Sequence, residues 1–214
     1  MTKRYSVPES IKLKTHLDEA SFDSMYLDSI NNPESFWATQ ASKHITWIEE
    51  PNHISSIEME KGKIEWFNDG ILNASFNCID RHLSNPDAVA IIWESDDPSE
   101  DKKISYGHLH DEVCKFANLL KSRGIKKGDR VCIYMPMIPE ATYAMLACAR
   151  IGAVHSVVFG GFSVESLKDR ILDSNCETVI TANEGIRGGK RIPLKENVDK
   201  AIKSCPNVHS VIVV

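Results

Sequence analysis

The chain has 214 residues, of which 42% are hydrophobic and 26% are charged, and its formal net charge is −5. This composition can build a sizeable core and excludes a disordered or collagen-like chain. The acidic balance argues against a general nucleic-acid binder, which needs a strongly positive surface. The longest apolar run, residues 143–149, is far shorter than the ~20 residues of a membrane-spanning helix, so we expect no membrane span.

The amino terminus and the cysteines indicate a reducing compartment. Residues 1–14 mix basic, acidic and apolar residues without an apolar block, so they do not resemble a secretory signal. The six cysteines are at least sixteen positions apart, which leaves no Cys-x-x-Cys motif for zinc or redox chemistry. We therefore expect a cytoplasmic protein with reduced, buried and inert thiols.

The sequence divides near residue 84. Residues 1–84 carry aromatic side chains without regular alternation, and we predict an extension of short helices and loops, including a helical stretch at residues 18–41. Residues 85–214 alternate short apolar runs with helical patterns. This alternation predicts an α/β domain, a mostly parallel sheet covered by helices.

Individual elements follow from apolar periodicity and from helix caps. The predicted strands are residues 88–93, 130–135, 154–159, 178–181 and 208–214, and the predicted helices include residues 139–150, 163–174 and 194–204. The charged residues 96–103 indicate a turn. Parallel strands are normally followed by helix cover, so we expect the last strand to belong to an incomplete domain.

The strongest local motif is the glycine-rich, basic segment at residues 184–191. Residues 182–203 contain six Lys or Arg and three Asp or Glu, so positive charge is concentrated there. Glycine lets backbone amides approach a phosphate, Arg offers a planar fork of donors and Lys a compact cation. The segment therefore predicts a site for a phosphate ester or, alternatively, a flexible solvated turn.

Two sharper nucleotide motifs do not fit. In a Walker A loop Gly185 would be one position too close to Lys190, and Arg191 stands where a hydroxyl is needed. The Gly-x-Gly-x-x-Gly spacing of dinucleotide sites is also missing, which makes NAD an unlikely ligand. Gly160 and Gly161 follow a strand, where α/β sheets bind ligands, but any such connection also needs a glycine turn.

The remaining polar candidates are interpreted as structural. His108 and His110 are two positions apart in a helix and do not share a face, so we interpret both as solvent-facing or rim histidines. His155 lies inside a strand and is interpreted as a hydrogen-bonded core histidine. The acidic residues Asp96 and Asp97 are assigned to a solvated loop. The residues alone assign no metal ligand and no catalytic residue.

Several long blocks in the same order resemble the amino-terminal portion of AMP-forming acetyl-CoA synthetase (acetate–CoA ligase), of the adenylate-forming superfamily. The resemblance covers nearly all of the chain from about residue 22, and only the first part of the family's length. The blocks are Trp-Phe-Asn-Asp-Gly-Ile-Leu-Asn at residues 66–73, Asn-Cys-Ile-Asp-Arg-His-Leu at 77–83, Lys-Gly-Asp-Arg-Val at 127–131, Tyr-Met-Pro-Met-Ile-Pro-Glu at 134–140, Arg-Ile-Gly-Ala-Val-His-Ser-Val-Val-Phe-Gly-Gly-Phe at 150–162 and Glu-Gly-Ile-Arg-Gly-Gly-Lys at 184–190.

The resemblance implies a two-step ligase acting on small molecules. Acetate attacks the α-phosphate of ATP in the presence of Mg²⁺, and the CoA thiol then displaces AMP from acetyl-adenylate. In this family the stretch Arg187, Gly188, Gly189 and Lys190 lies at the CoA site and contacts the 3′-phosphate. Some relatives carry Arg in place of Lys190, so a bidentate contact is reduced here to a point charge.

The resemblance also implies what this chain lacks. The family's ATP and Mg²⁺ contacts and its catalytic residues are expected beyond residue 214, so we expect the chain alone to be inactive and to need the remainder of the enzyme as its partner. The alternative is a non-catalytic module that binds CoA or a partner subunit through the same stretch.

Overall fold

A computed structural model describes residues 5–97 and 99–214. They form two compact units, one up to Leu72 and one from Asn73 to Val214. The division precedes residue 84 because the short helix α4 (Ala74–Cys78) packs within the second unit. Asn73 anchors it, donating from Nδ2 to the carbonyl oxygen of Arg150 at 3.0 Å. A domain boundary at residue 84 stays a prediction.

Within residues 5–72 the first unit has three α-helices and one hairpin, whose turn includes a short 3₁₀ helix. They are α1 (Glu9–Lys12), α2 (Glu19–Asn31), α3 (Pro33–His44) and the antiparallel strands β1 (Ser55–Glu58) and β2 (Lys63–Trp66). The helical stretch expected at residues 18–41 is interrupted at Asn32, because Pro33 begins a new helix, a position that suits its fixed φ and missing N–H.

Aromatic rings pack against one another in this first unit. The rings of Trp37 and Trp66 are 6.1 Å apart, and those of Trp47 and Phe67 are 5.7 Å apart. A Cβ on Gly70 would lie 2.7 Å from a ring carbon of Trp47, so only glycine permits this contact. The irregular aromatic pattern of the sequence thus belongs to a small cluster of rings that meet edge-on or tilted.

The second unit is built on a four-stranded parallel sheet. Its strands are β5 (Arg130–Met135), β6 (Val154–Phe159), β7 (Thr178–Thr181) and β10 (Ser210–Val213), in the spatial order β10-β7-β5-β6. The helices α5 (Tyr106–Ser122), α6 (Pro139–Ile151), α7 (Val164–Ser174) and α8 (Leu194–Ala201) cover it. Two separate antiparallel hairpins complete the unit, β3 (Val89–Glu94) with β4 (Asp101–Ser105) and β8 (Gly185–Arg187) with β9 (Lys190–Ile192).

Strand β5 is buried on both faces, as its continuous apolar run predicts. Val131 and Ile133 pack into the cluster that contains α5 and α6. Cys132 and Tyr134 point into the other cluster, with α7 and α8. Helices therefore cover both faces of the sheet, and the predicted α/β class is confirmed. In the described residues no helix is long and apolar enough to cross a membrane.

The first predicted strand of the second unit lies outside the parallel sheet. It pairs antiparallel with β4, which occupies part of the segment we expected to be a turn. Ile104 is the one buried residue of β4, whereas Lys102 extends over the ring of Trp93 at 5.5 Å. A strand with mostly exposed, charged side chains carries no apolar run, so the sequence pattern did not reveal it.

One of the three histidine assignments changes. His155 is exposed on β6, so its assignment to the core was wrong, because β6 is an outer strand of the sheet. His110 is half-buried, with Nε2 3.6 Å from a carboxylate oxygen of Asp80, while His108 is exposed as expected. Asp80 also accepts two hydrogen bonds from Arg150, so His110 lies beside an ion pair.

The thiols differ strongly in accessibility. Cys132 and Cys148 are fully buried, and burial raises the pKa of each thiol to about 12. Cys176 and Cys205 are also buried, and burial raises the pKa of both. The expectation of buried thiols therefore holds for four of the six cysteines, since Cys78 is exposed and Cys114 half-buried.

Thiol labelling checks this arrangement. With iodoacetamide at neutral pH we expect rapid modification of Cys78 and slower modification of Cys114, because only these thiols reach solvent and the reagent attacks thiolate. Intact-mass and peptide spectra give the sites, and unfolding in guanidinium should expose all six. Labelling of Cys132 in the folded protein at the rate of Cys78 would contradict the core described above.

A second prediction concerns Asp69 in the first unit. Partial desolvation by itself raises the pKa of Asp69, but hydrogen bonds from His53 and the backbone amide of Asn52 outweigh it and lower the pKa to about 2. A carboxylate whose pKa is lowered by folding contributes stability above its unfolded pKa, near 3.9, and loses it as the pH falls towards 2.

We therefore expect Asp69→Asn to be less stable than the wild type at pH 6, with a difference that shrinks between about pH 4 and pH 2. Urea unfolding followed by tryptophan fluorescence measures the difference at each pH. Asp23→Asn on α2 removes the same charge elsewhere in the unit and serves as the control. A stability difference for Asp69→Asn that is independent of pH would refute the electrostatic explanation.

Candidate functional site

The candidate site lies at the carboxyl edge of the parallel sheet. Strands β5, β6 and β7 run in the same direction, so the segments that follow them meet at this edge. These segments and Asp96 line a pocket of about 220 Å³, with Pro136, Gly160 and Arg187 each coming from a different connection. The fold thereby brings together the two glycine-containing motifs that the sequence analysis identified separately.

The basic segment is a tight hairpin. Arg187 and Lys190 are opposite each other on β8 and β9, and Gly188 and Gly189 form the two-residue turn between them. Both glycines have positive φ, 56° and 71°, the combination that a two-residue hairpin turn requires and that other residues rarely adopt. A Cβ at either position would meet no atom within 4 Å, so the turn is open to a ligand.

The Arg187 side chain rests on an aromatic ring. Its guanidinium carbon is 5.0 Å from the centroid of the Phe159 ring. A Cβ on Gly161 would lie 3.0 Å from Nη1 of Arg187 and 2.6 Å from a ring carbon of Phe159. Gly161 therefore has a packing role beyond that of an ordinary turn, since it leaves the space in which guanidinium and ring approach each other.

Ion pairs neutralise most of the charge around this hairpin. Three pairs cancel six charges of residues 182–203, namely Arg191 with Glu184, Lys195 with Asp199 and Lys200 with Glu196. Three cations are left without an ion pair among the residues that the structure describes: Arg187, Lys190 and Lys203. Two of these flank the glycine turn, so the local excess of positive charge is focused on it.

One anionic side chain reaches the turn. The backbone N–H of Gly189 donates to Oδ2 of Asp96 at 3.0 Å. Asp96 was expected in a solvated loop, and its contact with Gly189 has no local sequence signal, because more than ninety residues separate the two groups. Phe159 was missed as well, although its place at the end of a predicted strand, before two glycines, was a usable signal.

The side chains around this turn suit the binding of an anion. Two cations and exposed amides suit a phosphate group. Cys132, the thiol on β5, is buried, and burial raises its pKa to about 12, which disfavours the nucleophilic thiolate. Within residues 5–97 and 99–214, no three His, Cys, Asp or Glu side chains converge as a metal site.

Comparison with known proteins adds independent findings. Residues 80–214 match the family model described as AMP-binding enzyme. Residues 22–78 match a second model, described as acetyl-coenzyme A synthetase N-terminus. The two matches follow each other along the chain and confirm the resemblance that the sequence blocks indicated.

Curated relatives extend these matches over nearly the whole chain. The chain is 59% identical over 211 residues to an acetyl-coenzyme A synthetase of Saccharophagus degradans, covering 98% of this chain and 33% of that protein. It is 60% identical over 213 residues to an acetyl-coenzyme A synthetase of Parvibaculum lavamentivorans, again covering 98% and 33%. The chain thus spans about a third of the length of the curated relatives it matches.

A solved structure shows the same fold. The acetoacetyl-CoA synthetase from Streptomyces lividans superposes with a TM-score of 0.82 at 22% identity, over 96% of this chain and 32% of that one. This likeness concerns the fold alone. Because the AMP-binding enzyme model covers more than half of its residues, the chain belongs to the family of AMP-binding enzymes.

Proposed function

We propose that this chain supplies the CoA-phosphate site of an AMP-forming acetate–CoA ligase. The observation that carries the proposal is the open turn at Gly188–Gly189, flanked by Arg187 and Lys190 and placed at the carboxyl edge of the sheet. The identity to acetyl-coenzyme A synthetases over 98% of the chain supports the choice of reaction.

In the proposed reaction an acetate oxygen attacks the α-phosphorus of ATP, and pyrophosphate leaves. The sulfur of CoA then attacks the carbonyl carbon of acetyl-adenylate, and AMP leaves. We assign the binding sites for ATP, Mg²⁺ and acetate to the two thirds of the relatives' length that this chain does not span. The proposal gives the residues of this chain no metal-dependent step. The enzyme would act in the cytoplasm on small molecules, with that remainder as the partner of this chain.

Each residue of the turn has a distinct role in the proposal. Phe159 supports one face of the Arg187 guanidinium, so the N–H groups at its edge are free for two phosphate oxygens. Lys190 contributes a point charge from the opposite strand. The turn amides add donors without side-chain bulk. All of these groups act on CoA and none on ATP, so they serve only the second half-reaction.

The test uses a hybrid enzyme in which this chain replaces the corresponding third of the Saccharophagus degradans relative. In Arg187→Ala we expect kcat/KM for CoA to fall about tenfold, because a charge-assisted hydrogen bond at an exposed site is lost. The ratio of kcat/KM for CoA to kcat/KM for dephospho-CoA should fall by the same factor. Acetate-dependent exchange of pyrophosphate into ATP, which needs no CoA, should keep its rate.

Arg191→Ala is the matched control, because Arg191 lies on the same hairpin but pairs with Glu184. It removes the same charge and should alter CoA use much less. Two results would reject the proposed phosphate site. One is that Arg187→Ala slows pyrophosphate exchange as much as it slows the use of CoA. The other is that both variants discriminate equally against dephospho-CoA. A hybrid that binds CoA but exchanges no pyrophosphate would favour the alternative of a non-catalytic binding module.

A further inference from the structure

The amide that a phosphate would use already has an internal anionic partner. Gly189 N–H donates to Asp96 at 3.0 Å, and Asp96 lines the same pocket as Arg187. A carboxylate resembles a phosphate in two respects. Both are negatively charged, and both carry more than one oxygen atom that accepts hydrogen bonds. Asp96 therefore occupies part of the position that the proposed function assigns to the ligand.

The fold holds Asp96 there from two sides. The loop that carries it is closed by a hydrogen bond from the amide of Ser95 to the carbonyl of Glu100 at 2.9 Å. Three residues before Asp96, the indole N–H of Trp93 donates to the carbonyl of Met137 at 2.7 Å. Met137 follows β5, so the loop is tied to the carboxyl edge of the sheet. These contacts place the backbone that carries Asp96 beside the turn, and the exposed carboxylate reaches the turn through its hydrogen bond from Gly189.

A phosphate and the Asp96 carboxylate exclude each other at this turn. The Gly189 amide has one hydrogen to donate, and two anions sharing the cations of the turn repel each other. Asp96 is exposed, so its carboxylate can rotate into water, where hydration replaces the hydrogen bond from Gly189. Binding of the phosphate then becomes an exchange of one anion for another.

From this geometry we propose that Asp96 is a built-in competitor for the 3′-phosphate of CoA, an inference that rests on the proposed function. Acetyl-CoA carries the same phosphate as CoA, so a turn that holds the substrate tightly also retains the product. The competing carboxylate weakens the hold on both and speeds release, since affinity differences at one site mostly change the dissociation rate. A ligand without the phosphate gains nothing from the exchange and is unaffected.

Calorimetric titration of the 214-residue chain with CoA and with dephospho-CoA tests the proposal. Asp96→Asn keeps an oxygen acceptor for Gly189 and removes the charge. We expect it to bind CoA about fivefold more tightly, the size of an exposed charge interaction of about 1 kcal/mol, and to bind dephospho-CoA as before. Asp96→Ser, which also shortens the side chain, should show the same sign.

Asp97→Asn removes the same charge at the neighbouring position. The Asp97 carboxylate accepts a hydrogen bond from the backbone N–H of Ser99, and Asp97 does not line the pocket. This variant should leave CoA affinity unchanged. Unchanged or weaker CoA binding by Asp96→Asn, or an equal gain in Asp97→Asn, would overturn the competitor role. The wild-type chain and Arg187→Ala could instead each bind CoA and dephospho-CoA with equal affinity. That result would refute the proposed phosphate site itself, and it is distinguishable from a failure of the competitor role alone.

A measurement on the wild type needs no variant. In a ¹³C,¹⁵N-labelled chain, saturating CoA should shift the Gly189 amide and the Asp96 carboxyl carbon together, because one contact is exchanged for another. Dephospho-CoA should leave both resonances in place. A shifted Gly189 amide with an unmoved Asp96 carboxyl carbon would show that the phosphate binds beside the carboxylate, and the proposal would be wrong.

Discussion

The close approach of the chain after β6 to the end of β5 is the contact on which the candidate site depends. A Cβ on Gly160 would lie 2.9 Å from the carbonyl oxygen of Met135, and because that oxygen belongs to a buried strand it has little freedom to move. Because Gly160 has no side chain, this connection can lie close to the carboxyl edge of the sheet. Gly161 then leaves room for Phe159 and Arg187 to touch, so two neighbouring glycines serve two different contacts.

Charge at the site depends on pairing as much as on composition. A count of Lys and Arg across residues 182–203 suggests a broad basic surface. The ion pairs on α8 and between Arg191 and Glu184 cancel most of it. What remains is a narrow cationic spot at the turn, opposed by one carboxylate. Such a spot favours a compact dianion over an extended polyanion, which agrees with the absence of a general nucleic-acid-binding composition.

The parts of the fold that the sequence predicted are those with a continuous apolar pattern. Strands β5, β6 and β7 begin and end at the predicted residues, because each is rich in the β-branched and aromatic side chains that favour strands. Strands β5 and β7 are buried, whereas β6 is an outer strand with mostly exposed side chains. Strand β4 and the exposure of His155 escaped prediction, since both depend on which elements lie beside a strand. The hydrogen bond from Gly189 to Asp96 escaped for the same reason: it is decided by tertiary packing between distant segments.

An exposed turn is a suitable place for a ligand that must also leave. Water screens Arg187 and Lys190, so each contact with the proposed phosphate would be weaker than in a buried pocket. Rigid groups compensate for part of that loss, because the Phe159 ring and the two glycines hold the donors in position before the ligand arrives. The carboxylate of Asp96 acts in the opposite direction. In the proposal, preorganised donors and a tethered acceptor act against each other, so a phosphate-bearing substrate and its product would both be bound and released by the exchange of one anion for another.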